Sequence, residues 1–575
     1  MRRYLKWDNF ILTGIFAIGF YLGICNIDHG LPYIYNHDGL NFVEQALRYG
    51  KGTLEPFGFV HGSFLSYILF FEYAIYFLIN LIIGRMIQPI DLLQEYILNP
   101  TLFFMIGRLT VVFFSMGNLF LVYVIGRKFF SGKTGLVAAL FTCVSFYAVF
   151  LSHSIKGDII AGFFILCSFY FVLKALEDRG HFKSLYISAL LIGIAISVKY
   201  YSFIGIFLIL SMLLFKVKDG EISFRIFLKL FLQSIFIVVF IFLILNPYVL
   251  IDFKTFINQM FDLKGTHSIA YDSYSRSSWY WSALLFLKEG VGPLIFYLYL
   301  LSLFAIFSKR RILLCNLYPI PLYAFLCFFK GALPNFLVST IPFIAISAAF
   351  LMVGVINYFV KNKNLYHAVI FFTAILFSLS SLIVSWKYCK LLEGEDTRTI
   401  AKRWIESNIK SNSSILVEGA YTFNITAGGP PLRENVYTLK KELDEIKKTG
   451  ASGFLWENKL KFVALQEAPA YELYKTVVIF PENIERYDPE YVVLSDYCKP
   501  GARLQSNITK EYLKKREYVR IKKILPDVYI NFFPSFESLY FDAFKTIDKI
   551  DFMSLDTLNS YGPAIEIYEK PGLDF

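Results

Sequence analysis

The chain is dominated by apolar runs that are long enough to cross a lipid bilayer. Hydrophobic residues make up 56% of its 575 positions, and between residue 9 and about residue 388 they form runs separated by short charged loops. A run of roughly 20 apolar residues spans the ~30 Å hydrocarbon layer as a helix, which satisfies its own backbone polar groups. Beyond residue 388 the runs stop. The pattern predicts a polytopic α-helical membrane domain at 1–388, followed by a small α/β domain at 389–575.

Clusters of Lys and Arg orient the predicted spans, because such clusters are retained in cytoplasmic loops. Six clusters occur, at 2–6, 127–133, 179–183, 216–229, 309–311 and 361–363. If all six are cytoplasmic, the N-terminus is cytoplasmic and the C-terminal domain is extracytoplasmic. The chain then has eleven spans, at 9–27, 101–126, 134–152, 159–177, 183–198, 200–215, 226–248, 290–308, 311–329, 333–360 and 366–388.

One further apolar run, residues 63–84, does not fit this orientation. Counting it as a span would move Arg127, Lys128 and Lys133 to the outer side, and it contains Glu72. We interpret it as a helix that lies on, or dips into, the outer face within one long external loop, 28–100. The external side then collects acids and bases that are scattered along the chain: Asp38, His61, Lys156, Asp158, Lys199, His267, Arg276 and Lys330.

The net charge of +11 does not indicate a nucleic-acid partner, because the basic residues cluster in short loops between apolar runs. No DxD motif occurs in the first external loop, and no His/Cys cluster has metal-ligand spacing. We therefore predict neither a bound metal nor a cofactor.

Several short motifs occur in a characteristic order. The first external loop carries Asn36-His37-Asp38-Gly39 and later His61-Gly62-Ser63; Lys156-Gly157-Asp158 precedes a span, and Asp396-Thr397-Arg398 follows the last one. The order resembles the GT-C superfamily of membrane glycosyltransferases that use polyprenyl-phosphate sugars, which includes the protein O-mannosyltransferases and the aminoarabinose transferase of lipid A. This sequence departs from the family pattern at Gly39, where a second acidic residue is usual, and at Gly62-Ser63, where prolines are usual.

The resemblance implies sugar transfer from a lipid phosphate, and that chemistry needs a base, a cation and a site at the bilayer surface. Asp38 would take the acceptor proton; as an alternative it caps the helix that follows. Lys199 would hold the departing phosphate, unless it only extends to the interface. Asp158 would organise the site, bind the acceptor, or act as the nucleophile of a retaining mechanism; as alternatives it caps the helix that follows or pairs with Lys156. Further substrate-binding candidates are Lys156, His61, His267, Lys330 and Arg276.

These features predict a hexosyl- or pentosyltransferase that moves a sugar from a polyprenyl-phosphate donor, most simply with inversion. The acceptor would be a glycan, lipid or protein on the non-cytoplasmic face. A transporter or flippase of a lipid-linked or anionic solute is the alternative; it would favour internal repeats and helices broken near the mid-membrane. A third interpretation is a non-enzymatic membrane anchor for the C-terminal domain, which would require neither Asp38 nor Lys199.

The C-terminal segment alternates predicted helices and strands. An amphipathic helix begins at Asp396 and runs to 410, and further helices are predicted near 436–447 and 509–516. Short β-rich runs predict strands at 415–417, 462–465, 477–480 and 491–494.

Overall fold

The computed structural model describes most of the chain. It covers residues 2–35, 37–178, 182–270, 284, 286–327, 334–419, 428–448, 454–463, 468–476, 478–496, 502–529 and 558–572. For Asp38 and His267 it describes the backbone only. The chain forms two compact units: unit 1 comprises 1–27, 42–73 and 106–388, and unit 2 comprises 28–41, 74–105 and 389–575.

Helices make up most of the described residues before residue 392. The first nine are α1 Arg2–Ile24, α2 His37–Tyr49, α3 Phe64–Ile82, α4 Pro89–Leu98, α5 Thr101–Phe129, α6 Gly132–Cys143, α7 Phe146–Ser152, α8 Gly157–Glu177 and α9 Lys183–Val198. A 3₁₀ segment, Tyr200–Gly205, leads into α10 Ile206–Lys218, α11 Phe224–Leu245, α12 Tyr248–Ile251 and α13 Phe253–Ala270. Then follow α14 Pro293–Ser302 with the 3₁₀ turn Leu303–Phe307, α15 Arg310–Asn316, α16 Pro319–Cys327, the 3₁₀ segment Pro334–Thr340, α17 Ile341–Phe359 and α18 Lys363–Leu391.

Seven helices among the described residues are long and apolar enough to cross a membrane, and the bent pair α6–α7 would make eight. Three shorter apolar helices occupy 8–24, 183–198 and 293–307. Ten of the eleven predicted spans coincide with one of these elements. Helix α3 is among the seven, so its length and composition suit a span as well as the surface helix that we predicted.

The predicted span 311–329 is not one continuous helix. The chain there forms α15 and α16, with a break at Leu317 and Tyr318. Two prolines, Pro319 and Pro321, explain the break, because proline has no N–H to donate and its ring clashes with the preceding turn. The expectation of one spanning helix at 311–329 is therefore not met in the structure.

Several basic loops of unit 1 meet at one end of its helices. Lys133 pairs with Asp8 at 2.7 Å, and Arg311 at the start of α15 pairs with Glu177 at the end of α8, also at 2.7 Å. Arg310 donates to Asp219 at 2.7 Å, which joins the loop after α10 to the loop before α15 in the same way. Because α8 ends and α9 begins on this side, Gly157 and Val198 lie at the opposite end.

The C-terminal part of unit 2 contains two sheets. Strands β1 Glu395–Asp396, β6 Val528–Tyr529 and β7 Ser560–Gly562 form one, in the order β1-β7-β6. Strands β2 Ser414–Glu418, β3 Glu472–Thr476, β4 Tyr491–Ser495, β5 Val519–Ile524 and β8 Ile565–Glu569 form the other, in the order β3-β2-β4-β8-β5. Here β2 is parallel to β3 and β4, whereas β8 is antiparallel to β4 and β5.

Helices cover both faces of the larger sheet, as the alternation of buried side chains requires. The helices of this part are α19 Thr397–Asn408, α20 Val436–Lys448, α21 Phe454–Val463, α22 Pro481–Tyr487 and α23 Ala502–Lys515. Ile405 of α19 packs with Ile415 and Val417 on one face, and Leu416 packs with Leu513 of α23 on the other. The sheet therefore has an apolar core on each side.

The local predictions for this part were partly wrong. The helix begun by Asp396 and the strands at 415–417 and 491–494 are confirmed. Phe462 and Val463 belong to a helix rather than a strand, since a short apolar run does not distinguish the two. The strand expected at 477–480 lies earlier, at 472–476, where its residues pair in register with β2; Val477 is outside the described residues.

Candidate functional site

A buried ion pair in unit 1 joins the start of α8 to the end of α9. Asp158 lies in the first turn of α8 and is fully buried, and Lys199, which follows the last residue of α9, is 8% exposed. The Lys199 Nζ lies 3.7 Å from the Asp158 Oδ2. The positive end of the α8 dipole favours the carboxylate, and the negative end of the α9 dipole favours the ammonium group.

Two further side chains complete the environment of the carboxylate. The Tyr201 hydroxyl donates to Asp158 Oδ1 at 3.0 Å, and the Asn335 amide donates to Asp158 Oδ2 at 3.3 Å. Both donors come from 3₁₀ segments, one directly after Lys199 and one more than a hundred residues later. The Lys199 ammonium also lies 5.7 Å from the centre of the Phe336 ring, within cation–π range.

Glycine allows the two helix ends to approach each other. A Cβ at Gly157 would lie 2.8 Å from the Val198 side chain and 3.3 Å from Lys199 Cε. Lys156, the residue before it, is 2% exposed. Lys156, Asp158 and Lys199 together carry one formal positive charge, which suits an anionic ligand better than a cationic one.

A loop from the first external segment packs against the same end of α9. A Cβ at Gly62 would lie only 2.0 Å from the Ser197 carbonyl oxygen, so no other residue fits there without a shift of the backbone. The His61 carbonyl accepts a hydrogen bond from the Tyr200 hydroxyl at 3.2 Å. The His61 imidazole stacks on the Phe42 ring, with the ring centroids 5.2 Å apart. The loop therefore lies beside Lys199.

The structure brings together some of the predicted site residues. Asp158 and Lys199 are in contact, Lys156 flanks them in sequence, and His61 belongs to the loop packed on the end of α9. Asp38 lies in the first turn of α2, within unit 2, and His267 lies in α13, within unit 1. Arg276 and Lys330 lie outside the described residues.

Sequence reasoning missed Tyr201, Asn335 and Phe336. Tyr201 carried a weak signal, since it stands two residues after the lysine that interrupts an apolar stretch. Asn335 and Phe336 carried none, because their contact with the pair depends on long-range packing between α8 and the 334–340 segment.

Sequence comparison gives one partial family match. Residues 104–247 match the dolichyl-phosphate-mannose-protein mannosyltransferase family. This range includes Lys156, Asp158 and Lys199. Among curated proteins none matches significantly.

Structural comparison finds weak likenesses to membrane glycosyltransferases. ArnT from Cupriavidus metallidurans bound to undecaprenyl phosphate aligns at 13% identity and a TM-score of 0.46, over 70% of this chain and 72% of that one. AglB from Archaeoglobus fulgidus with an inhibitory peptide and a dolichol-phosphate aligns at 12% identity and 0.46, over 85% and 69%. The Archaeoglobus fulgidus oligosaccharyltransferase tethered to an acceptor peptide aligns at 12% and 0.47, over 89% and 72%.

Structural likenesses with TM-scores of 0.46–0.47 and identities of 12–13% assign no role to any residue of this chain. The family match is therefore the stronger finding. It falls on the segment that contains the buried pair and four of the seven apolar helices. The chain is thus a multi-pass membrane protein, and its resemblance to the polyprenyl-phosphate-sugar-dependent glycosyltransferases of the GT-C superfamily is confirmed by the match of residues 104–247 to the dolichyl-phosphate-mannose-protein mannosyltransferase family.

Proposed function

We propose that the protein is a glycosyltransferase that moves one sugar from a polyprenyl-phosphate donor to an acceptor hydroxyl, or to an amine-bearing glycan, lipid or protein. The observation that carries the proposal is the buried Asp158–Lys199 pair within the segment that matches a mannosyltransferase family. Ionisable groups buried among membrane helices are costly and usually mark a functional site. A donor whose prenyl tail stays in the bilayer requires such a site near the membrane surface.

The proposed reaction is a single displacement with inversion. Asp38 takes the proton of the acceptor as the acceptor oxygen or nitrogen attacks the anomeric carbon. The bond between that carbon and the phosphate oxygen breaks, and the polyprenyl phosphate leaves with the electron pair. Lys199, aided by Lys156, stabilises the growing phosphate charge, and Asp158 orients the Lys199 ammonium group.

We propose that the site faces the non-cytoplasmic side, with the N-terminus in the cytoplasm and the domain 389–575 outside. The ion pairs among the basic loops support this orientation, because they gather at the end of unit 1 opposite to Lys199. The roles of His61, His267, Arg276 and Lys330 in binding the substrates belong to the same proposal.

The central test replaces the proposed base. Purified protein in lipid nanodiscs is incubated with dolichyl-phosphate [³H]mannose and a membrane extract as the source of acceptor, and label leaving the lipid donor is counted. Asp38→Asn should lower transfer by roughly 10²–10⁴-fold, the usual contribution of a general base, while the yield of folded protein stays unchanged.

Glu55→Gln is the matched control, because Glu55 belongs to the same predicted external loop but is half exposed and pairs with Arg48 at 3.1 Å. It should transfer at the wild-type rate. Full turnover by Asp38→Asn would remove Asp38 from the mechanism. Movement of intact labelled donor across the bilayer without release of sugar would favour the transporter instead.

A further inference from the structure

Helix α19 of the C-terminal domain holds the segment that precedes α2. The Arg398 guanidinium carbon lies 3.8 Å from the centre of the Tyr35 ring, and the Tyr35 hydroxyl is 2.6 Å from Thr399 Oγ1. One turn further along α19, the Lys402 ammonium lies 5.4 Å from the centre of the Tyr33 ring. Three contacts thus join one face of α19 to Tyr33 and Tyr35, all within unit 2.

The arginine in this cluster is held rigidly. Arg398 and Asp396 are each 2% exposed, and both Asp396 oxygens accept from the Arg398 guanidinium, at 2.7 and 2.6 Å. Asp396 Oδ1 also accepts the Arg398 backbone N–H at 2.8 Å, which caps α19. The flat guanidinium group therefore presents a fixed face on which the Tyr35 ring stacks.

The small sheet fixes the start of α19 in turn. The Thr397 hydroxyl donates to the Pro563 carbonyl at 2.6 Å. Gly562 has a φ of +121°, and a Cβ there would lie 2.6 Å from Thr397 Oγ1. Residues far apart in sequence, 396–399 and 561–563, thus build one rigid support beneath Tyr35.

We propose that this cluster is a positioning element for the reaction: α19 fixes Tyr35, and Tyr35 restrains the start of α2, which carries Asp38. Asp38 follows Tyr35 by three residues, a span of at most about 11 Å, so a fixed Tyr35 narrows the volume that Asp38 can sample. The catalytic part of this inference, that the position of Asp38 matters for the reaction, rests on the proposed function. The physical coupling between α19 and α2 can be measured without any substrate.

The variants are chosen to leave the buried Asp396–Arg398 ion pair intact. Tyr35→Leu removes the ring and the hydroxyl but not the Asp396–Arg398 pair, whereas Tyr35→Phe removes only the bond to Thr399. Arg403→Gln is the control, because Arg403 lies on the same helix but is 64% exposed and pairs with Glu395. The measurement is hydrogen exchange, by mass spectrometry, of the full chain in nanodiscs.

Tyr35→Leu should accelerate exchange in peptides covering 37–49 by about tenfold, the loss expected for a cation–π contact and a hydrogen bond together. Tyr35→Phe should give an intermediate effect, and Arg403→Gln none. Exchange in strand β4 should stay at the wild-type rate in all three variants. Unchanged exchange at 37–49 in Tyr35→Leu, or equal acceleration in β4, would overturn the proposal.

Activity separates this inference from the proposed function. With dolichyl-phosphate [³H]mannose, Tyr35→Leu should lower kcat several-fold with little change in the donor KM, and Tyr35→Phe should recover part of the loss. If Asp38→Asn keeps full turnover while Tyr35→Leu still accelerates exchange, Asp38 is not the base of the proposed reaction, whereas the physical coupling of α19 to the start of α2 stands. Faster exchange at 37–49 with an unchanged kcat in Tyr35→Leu would leave only a structural contact and overturn the positioning role.

Discussion

Removing the carboxylate of the buried pair should destabilise unit 1 strongly. In Asp158→Ala the Lys199 ammonium group, 8% exposed, loses its anion, and the Tyr201 hydroxyl and the Asn335 amide lose their acceptor. Removing one partner of a buried ion pair lowers the free energy of unfolding by about 3–5 kcal/mol. That range already includes most of the cost of leaving the Tyr201 and Asn335 donors without an acceptor. We expect a loss of about 4 kcal/mol.

The double variant Asp158→Ala/Lys199→Met separates stability from function. Methionine keeps most of the lysine stem without its charge, so no unpaired ammonium group remains, and only the two donors lack an acceptor. We expect the loss to shrink to about 1–2 kcal/mol, because removing both partners of a buried pair is far less harmful than removing one. Transfer activity should nevertheless stay absent, since the group proposed to hold the phosphate is gone.

The assay is unfolding of the purified chain in mixed micelles of increasing SDS content, combined with the transfer assay. Glu177→Ala is the stability control, because its pair with Arg311 is nearly half exposed on both sides and should contribute less than about 1 kcal/mol. If the losses of Asp158→Ala and Lys199→Met simply add in the double variant, within about 0.5 kcal/mol, the two charges are not coupled and the reasoning fails.

Two further predictions concern other parts of the chain. Gly62→Ala should abolish transfer and lower stability, because its Cβ would lie 2.0 Å from the Ser197 carbonyl oxygen, whereas Gly14→Ala, with open space around it, should be neutral in the same assays. Burial raises the pKa of the Glu418 carboxyl to about 7, so the folded domain holds this proton more tightly than the unfolded chain. The contribution of the protonated Glu418 to folding stability is therefore complete below about pH 4.3. It is lost as the pH rises towards 7, which lowers the free energy of unfolding by at most about 3–4 kcal/mol. Hydrogen exchange of the β2 amides should accelerate over this pH range, and Glu418→Gln should reduce that acceleration.

The family resemblance pointed to Asp158, and the interruption of an apolar stretch pointed to Lys199. An acid at the start of one apolar run and a lysine at the end of the next are visible in the sequence, and both are unusual near a bilayer. Their pairing was not visible, because Lys156 is an equally good partner for Asp158 in the sequence. It depends on α8 and α9 being antiparallel neighbours whose ends meet through Gly157.

The support of Tyr35 shows the same limit in unit 2. The stretch Asp396-Thr397-Arg398 stood out as a motif, and Asp396 was expected to begin a helix, which a local capping preference is enough to predict. Its second role, as the anion that holds Arg398 against a ring more than 360 residues earlier, has no local signal. Only packing of the whole unit joins these residues.

The sequence by itself determined which segments form long apolar helices and which loops carry the basic clusters, because both depend on the length and charge of contiguous segments. It also contained the cause of the break within 311–329, which is the presence of Pro319 and Pro321. Tertiary structure alone decided which polar groups meet. A buried carboxylate needs an ammonium group and hydrogen-bond donors within a few ångströms, and here the chain supplies them from positions 199, 201 and 335.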